Sequence, residues 1–186
     1  MFKIERLNHC LNQVGTFSEE ELQQIMEHWT HSEVSKDTRL LKAGDICMSI
    51  SFLIKGACYQ YHEETTDIII TELFTEKDCV LNQASFVSQK PSTETIKSYT
   101  DCEVLTLTVH GLHKLIGISP VFFQLGKIFE LSAFRLSFFD QSLSPSEKYK
   151  YILEQKPKLI QTFPLRFIAS YLKITPETLS RVRALK

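Results

Sequence analysis

The C-terminal end of the chain carries the residues best suited to chemistry with a partner. The stretch from Leu165 to Lys186 has the pattern of two short helices separated by Lys173-Ile174. Apolar residues at helical spacing would form the inside of the pair: Ile168, Ala169, Leu172, Ile174, Leu179 and Val182. A small residue such as Ala169 lets two helices cross closely, so the pattern predicts a helix-turn-helix. Lys173 stands where such turns favour glycine.

The second of these helices would present polar side chains to a DNA major groove. Thr175 is expected as its N-cap and Pro176 as its first helical residue. The predicted DNA-binding residues are Thr175, Pro176, Glu177, Thr178, Ser180, Arg181 and Arg183. Arginine binds guanine bidentately, glutamate accepts from cytosine, and hydroxyls reach bases or phosphates. A small helical hairpin with a solvated arginine face is the alternative interpretation.

The distribution of charge supports a nucleic-acid partner for this end. The formal net charge of the 186 residues is −1. Up to Ser144 the chain has 12 basic and 19 acidic residues, whereas from Pro145 onward it has 9 basic and 3 acidic ones. Such an asymmetry between parts of a chain is typical of nucleic-acid or membrane contact in the basic part.

The elements that must position this segment begin with a helix near Ser18, whose capping box with Glu21 precedes apolar residues at helical spacing up to Trp29. From about Val34 to Val109 the pattern is that of short strands. The predicted strands are Thr38–Lys42, Ile50–Ile54, Cys58–His62, Ile68–Phe74, Glu94–Tyr99 and Glu103–Val109. Short strands at close spacing predict a jelly roll. The fold class is therefore α+β: an N-terminal β jelly roll, a long helix and a C-terminal all-α domain.

Helical periodicity returns near His110. It predicts a short helix to Ile118 and a long helix from Pro120 to about Ser142. Apolar residues cover so much of the long helix that a second copy of the chain would bury part of it; a core helix of a monomer is the alternative. Ser144, Pro145 and Glu147 have the pattern of a new helix start, and Pro157 is expected to end that helix. We therefore predict a β-roll sensor domain over 1–119, a dimerisation helix over 120–143 and a helix-turn-helix domain over 144–186.

Three stretches resemble Crp/Fnr-type transcription regulators, the relatives of the cyclic-AMP receptor protein. Ile168–Arg183 resembles their helix-turn-helix, Leu40–Tyr61 the opening strands of their cyclic-nucleotide-binding-like roll, and Ser98–Leu115 the end of that roll. The resemblance implies a homodimer, joined through the 120–143 helix, that binds a near-palindromic DNA site. By position, Pro176, Glu177 and Arg181 fall where the family reads bases.

The same resemblance argues against cyclic-nucleotide binding. Relatives that bind the nucleotide use a Gly-Glu pair and an arginine, where this chain has Leu81-Asn82 and Ser92, with the acid Glu94 nearby. A phosphate would then lack the charge-assisted bonds that hold it, unless Lys90 or Lys97 substitutes. The residues expected to line the corresponding pocket are Asn82, Gln83, Ser85, Ser92 and Thr93.

Other chemistries have weaker support. The histidine pairs His28/His31 and His110/His113 have a spacing at which one helix can hold a metal, but surface histidines are the simpler interpretation. Only Cys10 lies near the N-terminus, which disfavours an iron–sulfur sensor, and only His62 lies on a predicted strand, which disfavours a cupin-like enzyme. We expect no cofactor, no metal and no catalysis.

No signal peptide or membrane span is expected, and spread cysteines without a C-x-x-C pair favour a reduced, cytoplasmic protein. The two hypotheses are a dimeric DNA-binding regulator with an altered sensor, and a small-molecule-binding protein whose helix-turn-helix is not used for DNA.

Overall fold

The computed structural model describes Leu11 and residues 14–65, 67–129 and 143–184. A helix and eight strands come first in chain order, interrupted by one short helix: α1 (Glu19–His28), β1 (Trp29–Val34), β2 (Arg39–Leu41), β3 (Ser49–Lys55), β4 (Ala57–Glu63), β5 (Ile68–Thr75), β6 (Cys79–Val80), α2 (Gln83–Ser88), β7 (Thr95–Ser98) and β8 (Cys102–Thr108). Helical elements follow: α3 (Val109–Ile118), a 3-10 helix (Pro120–Gly126), α4 (Pro145–Gln155), α5 (Pro157–Thr162), α6 (Leu165–Tyr171) and α7 (Pro176–Ala184).

The strands form two four-stranded antiparallel sheets. One has the order β1-β8-β3-β6 and the other β2-β7-β4-β5. Buried apolar side chains of both sheets, including Phe52, Leu53 and Leu107, form the larger core together with α1 and α3. Each predicted strand is present, with bounds that differ by at most one residue. The two packed sheets confirm the predicted α+β class with a β-roll.

Two strands were missed by the periodicity. β1 begins at Trp29, which the helical spacing had placed in the first helix; that helix has the predicted Ser18–Glu21 capping box but ends at His28. Trp29 instead packs on Phe52, with ring centroids 6.0 Å apart. β6 has only two residues, Cys79 and Val80, too few to show any alternation. β1 pairs with β8 and β6 pairs with β3, so both strands are defined by contacts between residues far apart in the sequence.

The predicted long helix differs at its start. Residues Pro120–Gly126 form a 3-10 helix, capped by the Ser119 hydroxyl, rather than the first turns of an α-helix. Its buried residues Phe122 and Leu125 join the β-roll core, and residues three apart share one face of a 3-10 helix. The part of the predicted dimerisation helix over 130–142 lies outside the described residues.

The C-terminal helices pack on the outside of the second sheet. A second cluster of buried side chains joins Ala57, Tyr59 and Tyr61 of β4 and Ile70 and Leu73 of β5 to α4, α5, α6 and α7. The helix predicted after Ser144 has the predicted capping box and begins at Pro145. It ends at Gln155, and Pro157 starts α5 rather than merely ending α4. Among the helices of the described residues, none is long and apolar enough to cross a membrane.

Candidate nucleic-acid interface and the interior of the β-roll

The turn between α6 and α7 closes without glycine. Lys173 adopts the left-handed region, at φ 55°. Its N–H donates to Ser170 O at 2.9 Å, and the Ile174 N–H donates to Ala169 O at 3.0 Å, the pattern of a Schellman end. The buried Lys148 of α4 also donates from Nζ to Leu172 O at 3.1 Å. These bonds satisfy carbonyls at the end of α6 and stabilise a conformation that costs a residue with a Cβ about 1–2 kcal/mol.

α7 begins as the sequence predicts. The Thr175 hydroxyl accepts from the Thr178 N–H at 3.2 Å, so Thr175 caps the helix ahead of Pro176. The Glu177 carboxyl has a lowered pKa because it accepts from its own backbone N–H, bonds the Thr175 hydroxyl and lies near the positive charge of Arg181. An acid in the first turn also complements the positive helix N-terminus.

The inside and outside of α7 separate as predicted. Leu179 and Val182 are buried against the rest of the C-terminal helical module, which consists of α4 to α7. The predicted inner residues Ile168, Ala169 and Leu172 are buried with them, and Ile174 is partly buried. Six of the predicted DNA-binding residues are exposed and Thr178 is half-buried. Arg181 makes one long contact on its own helix, from Nη2 to Thr178 Oγ1 at 3.4 Å. The guanidinium is therefore held loosely and faces solvent.

The opposite side of the module is fixed to β5. The Ile70 N–H, at the edge of its sheet, donates to the Ser170 hydroxyl at 2.9 Å. Lys156 pairs with Asp78 at 3.4 Å, and both side chains are largely buried. The rings of Tyr59 and Phe167, tilted at 57° with centroids 5.2 Å apart, fill the contact between β4 and α6. The module thus shows its polar face outward.

Inside the β-roll, polar side chains at the predicted ligand pocket are bonded to one another. Glu94 Oε2 accepts from Asn82 Nδ2 at 2.7 Å and from Gln60 Nε2 at 2.8 Å. Gln60 and Asn82 are 7% and 4% exposed, so both donors are buried, whereas the Glu94 carboxylate is half-buried. Hydrogen bonds to a charged group contribute about 1.5–3 kcal/mol. A bound phosphate would have to displace this carboxylate and would meet its charge.

Three of the predicted ligand residues are committed to the backbone around them. Asn82 caps α2 through its Oδ1, which accepts from Ser85 N at 2.9 Å. The Ser85 hydroxyl accepts from Cys47 N and donates to Lys90 O, and the Ser92 hydroxyl bridges the N–H and C=O of Glu94.

The other two predicted ligand residues lie apart from that network. Gln83 donates from Nε2 to Phe129 O at 3.1 Å, while its Oε1 is buried without a hydrogen-bond partner. Thr93 is exposed. The structure therefore brings Asn82, Ser85 and Ser92 together but does not form one open pocket from all five.

Of the two lysines considered as substitutes for the missing arginine, one is paired elsewhere and the other is exposed. Lys97 Nζ pairs with Asp37 Oδ1 at 2.7 Å. This bond raises the pKa of Lys97 and lowers the pKa of Asp37. Lys90 is exposed. Lys97 lies opposite Tyr59 in the register of β7 and β4, so it shares the outer face of the sheet with Tyr59.

Gln60 is the interior residue that sequence reasoning missed. Along β4, Ala57, Tyr59 and Tyr61 face the C-terminal helices, so Cys58 and Gln60 face the roll interior. The alternation of small and polar with aromatic residues was a usable signal, because successive side chains of a strand point to opposite faces. It required knowing that both faces of β4 are covered.

A cavity of about 270 Å³ lies nearby, lined by residues of β2, β3 and the loop between them together with Val80, Leu81 and Ile96. None of the five predicted ligand residues lines it. Within the described ranges, no group of three or more His, Cys, Asp and Glu side chains is placed to hold a metal. His28 and His31 do not share a helix, since His31 lies in β1 and contacts Glu103 Oε1 at 2.8 Å.

Comparison with known proteins shows which domain family the β-roll is similar to. Residues 31–118 match the cyclic nucleotide-binding domain family. No curated protein sequence matches the chain. The β-roll is thus similar to the domains of that family over these residues.

Solved structures extend the likeness to the C-terminal helices. FixK2 from Bradyrhizobium japonicum matches with a TM-score of 0.70 and 18% identity, covering 84% of this chain and 83% of its own. The catabolite activator protein of Thermus thermophilus matches at 0.58 and 14%, covering 93% and 85%. CLP from Xanthomonas campestris, a c-di-GMP responsive global regulator, matches at 0.60 and 15%, covering 90% and 91%. These are Crp/Fnr-type regulators, and the chain has their fold, which confirms the predicted resemblance.

Proposed function

We propose that this protein is a sequence-specific DNA-binding transcription regulator that acts as a homodimer. The observation that carries the proposal is the exposed polar face of α7, presented by a module whose other side is buried on the β-roll. Arg181, Glu177 and Ser180 supply the donors and acceptors that read base edges. The fold shared with Crp/Fnr-type regulators supports the same assignment.

Dimerisation through the segment 120–143 is part of this proposal. Large apolar side chains are exposed at its start and beside it: Phe123 is 65% exposed, Val87 65% and Ile118 52%. A second copy of the chain would cover them. Sedimentation of the purified full chain should give twice the chain mass, and a monomer at micromolar concentration would contradict this part.

The sensor domain is proposed not to bind cyclic AMP or cyclic GMP. The reason is that Ser92 stands where a phosphate needs a cation, with the carboxylate of Glu94 nearby. Titration calorimetry with either nucleotide should show no binding at millimolar concentration. Micromolar binding would overturn this part and leave the DNA assignment untouched.

The DNA assignment is tested by selecting sequences from a random duplex pool with the full chain and measuring anisotropy on the enriched site. Affinity should fall steeply with salt, because phosphate contacts release counterions. Arg181→Ala should weaken the enriched site by about 1–3 kcal/mol and relax its preference.

Lys114→Ala is the matched control for that variant. It removes one positive charge from an exposed position of α3 and should leave DNA binding unchanged. If no sequence is enriched and no binding occurs at low salt, the DNA proposal is wrong and the small-molecule alternative is favoured.

A further inference from the structure

Two cysteines, one from each sheet, are in contact inside the β-roll. Cys58 lies in β4 and Cys102 in β8, and their Sγ atoms are 3.7 Å apart. Both thiols are free and buried, at 0% and 5% exposure. Their separation in sequence is 44 residues, so the contact is made by the fold and by no local motif.

The approach of these strands is close because Gly56 precedes β4. Gly56 has φ +97°, and a Cβ there would lie 2.8 Å from Cys102 Sγ. The Cys102 sulfur also contacts the carbonyl oxygens of Ala57 and Thr100, at 3.4 and 3.2 Å. Backbone contacts on both sides therefore hold Cys102 against β4. A disulfide has a length of about 2.05 Å, so each sulfur needs to move by less than about 1 Å, a shift that side-chain rotation supplies.

The two sulfurs differ in their access to solvent. Cys102 lines a cavity of about 390 Å³ that also contacts Glu33, Lys55 and Asp101, whereas Cys58 is completely buried. The hydrogen bond between the thiols raises the pKa of Cys58, an effect that burial reinforces, and lowers the pKa of Cys102. Cys102 is thus the thiol that a small polar oxidant reaches first, and Cys58 is the one poised to resolve the product.

We propose that Cys58 and Cys102 form an oxidisable dithiol that hydrogen peroxide converts to a disulfide joining the two sheets. The Cys102 thiolate attacks one peroxide oxygen; the S–O bond forms, the O–O bond breaks, and the leaving hydroxide takes a proton to become water. Cys58 Sγ then attacks Cys102 Sγ, the S–S bond forms, and the sulfenic hydroxyl leaves with the Cys58 proton as a second water. Two thiols and one peroxide give one disulfide and two waters.

The test uses the reduced full chain, one equivalent of hydrogen peroxide and alkylation of the remaining thiols, followed by peptide mapping under non-reducing conditions. We expect one linked peptide pair joining Cys58 to Cys102, with both thiols recovered by dithiothreitol. The oxidised chain should have a higher midpoint of thermal unfolding, because the bridge restricts the unfolded chain. No DNA is present, so failure of this test is distinct from failure of the proposed function.

Variants separate the roles of the two thiols. Cys58→Ala should leave a sulfenic acid at Cys102 that dimedone traps, whereas Cys102→Ala should leave Cys58 largely unlabelled. Cys47→Ser, a buried thiol that donates to Ser49 O at 3.4 Å, is the control and should still form the link.

The wild-type mapping needs no variant to fold and decides the proposal. Oxidation that leaves Cys58 and Cys102 alkylatable would overturn it, as would a bridge from either thiol to another cysteine or a lower unfolding midpoint.

Discussion

The interior of the β-roll and the exposed face of α7 both carry polar side chains, but they use them in opposite ways. In the roll, the donors of Gln60 and Asn82 are already bonded to Glu94. On α7, Arg181 has one long contact at 3.4 Å, and Glu177 and Ser180 are exposed. A ligand gains little from donors that are already bonded inside the protein, since binding exchanges one set of hydrogen bonds for another. The difference teaches that polar composition alone does not make a binding site.

The largest expected effect concerns the buried packing of α6, which keeps the polar face of α7 exposed. Ile168 is fully buried in the cluster that joins the C-terminal helices to the second sheet. Ile168→Ala should lower the free energy of unfolding by about 2–5 kcal/mol, because the lost side chain leaves a cavity. Urea denaturation measures it. Leu165→Ala, on the same helix but at a residue 39% exposed, is the control and should cost far less. Equal losses would mean that α6 is not anchored as described.

The next test addresses the closed interior. Glu94→Ala removes the shared acceptor of two buried amides, so it should lower the free energy of unfolding by about 1–3 kcal/mol. Thr93→Ala, at the exposed neighbouring position, should change it by less than about 0.5 kcal/mol. Glu94→Gln keeps one acceptor oxygen, so its loss in the free energy of unfolding should lie between those of Glu94→Ala and Thr93→Ala. A Glu94→Ala protein as stable as the wild type would show that the interior is not closed by this network, and would break the comparison.

The smallest effect lies at the start of the C-terminal module. Ser144→Ala removes the hydroxyl that caps α4 and bonds Glu147, at a cost of about 1 kcal/mol near neutral pH. The Ser144 hydroxyl and backbone N–H lower the pKa of Glu147. A lowered pKa stabilises the fold above the ordinary glutamate range, and this part is lost as pH falls through the lowered value.

The difference between wild type and Ser144→Ala should therefore shrink in acid when denaturation is repeated across pH. Ser18→Ala, in the matching capping box of α1, is the control for the general cost of such a cap. A Ser144→Ala difference that is constant with pH would contradict the role of the Glu147 carboxylate.

Local chemistry accounts for what could be predicted of the site and the fold. The N-caps at Ser18, Ser144 and Thr175 depend on side chains that bond within three residues, so they could be located in advance. The same holds for the inward residues of α7, which follow helical spacing. The predicted start of the long helix was wrong because Phe122 is buried in the β-roll core and the first turns form a 3-10 helix. No residue close to Phe122 in the sequence indicates this burial.

The sequence by itself determined the class of the fold, the place of the helix-turn-helix and the absence of an arginine at the position of Ser92. Only the tertiary structure decided that Glu94 binds Gln60 and Asn82, that Lys173 replaces glycine in a supported turn, and that Cys58 meets Cys102. The physical reason is how far apart in the sequence the interacting residues lie. Caps and helix faces are set by neighbours a few residues away, whereas the partners of buried polar groups and thiols come from strands that only the packing of two sheets brings together.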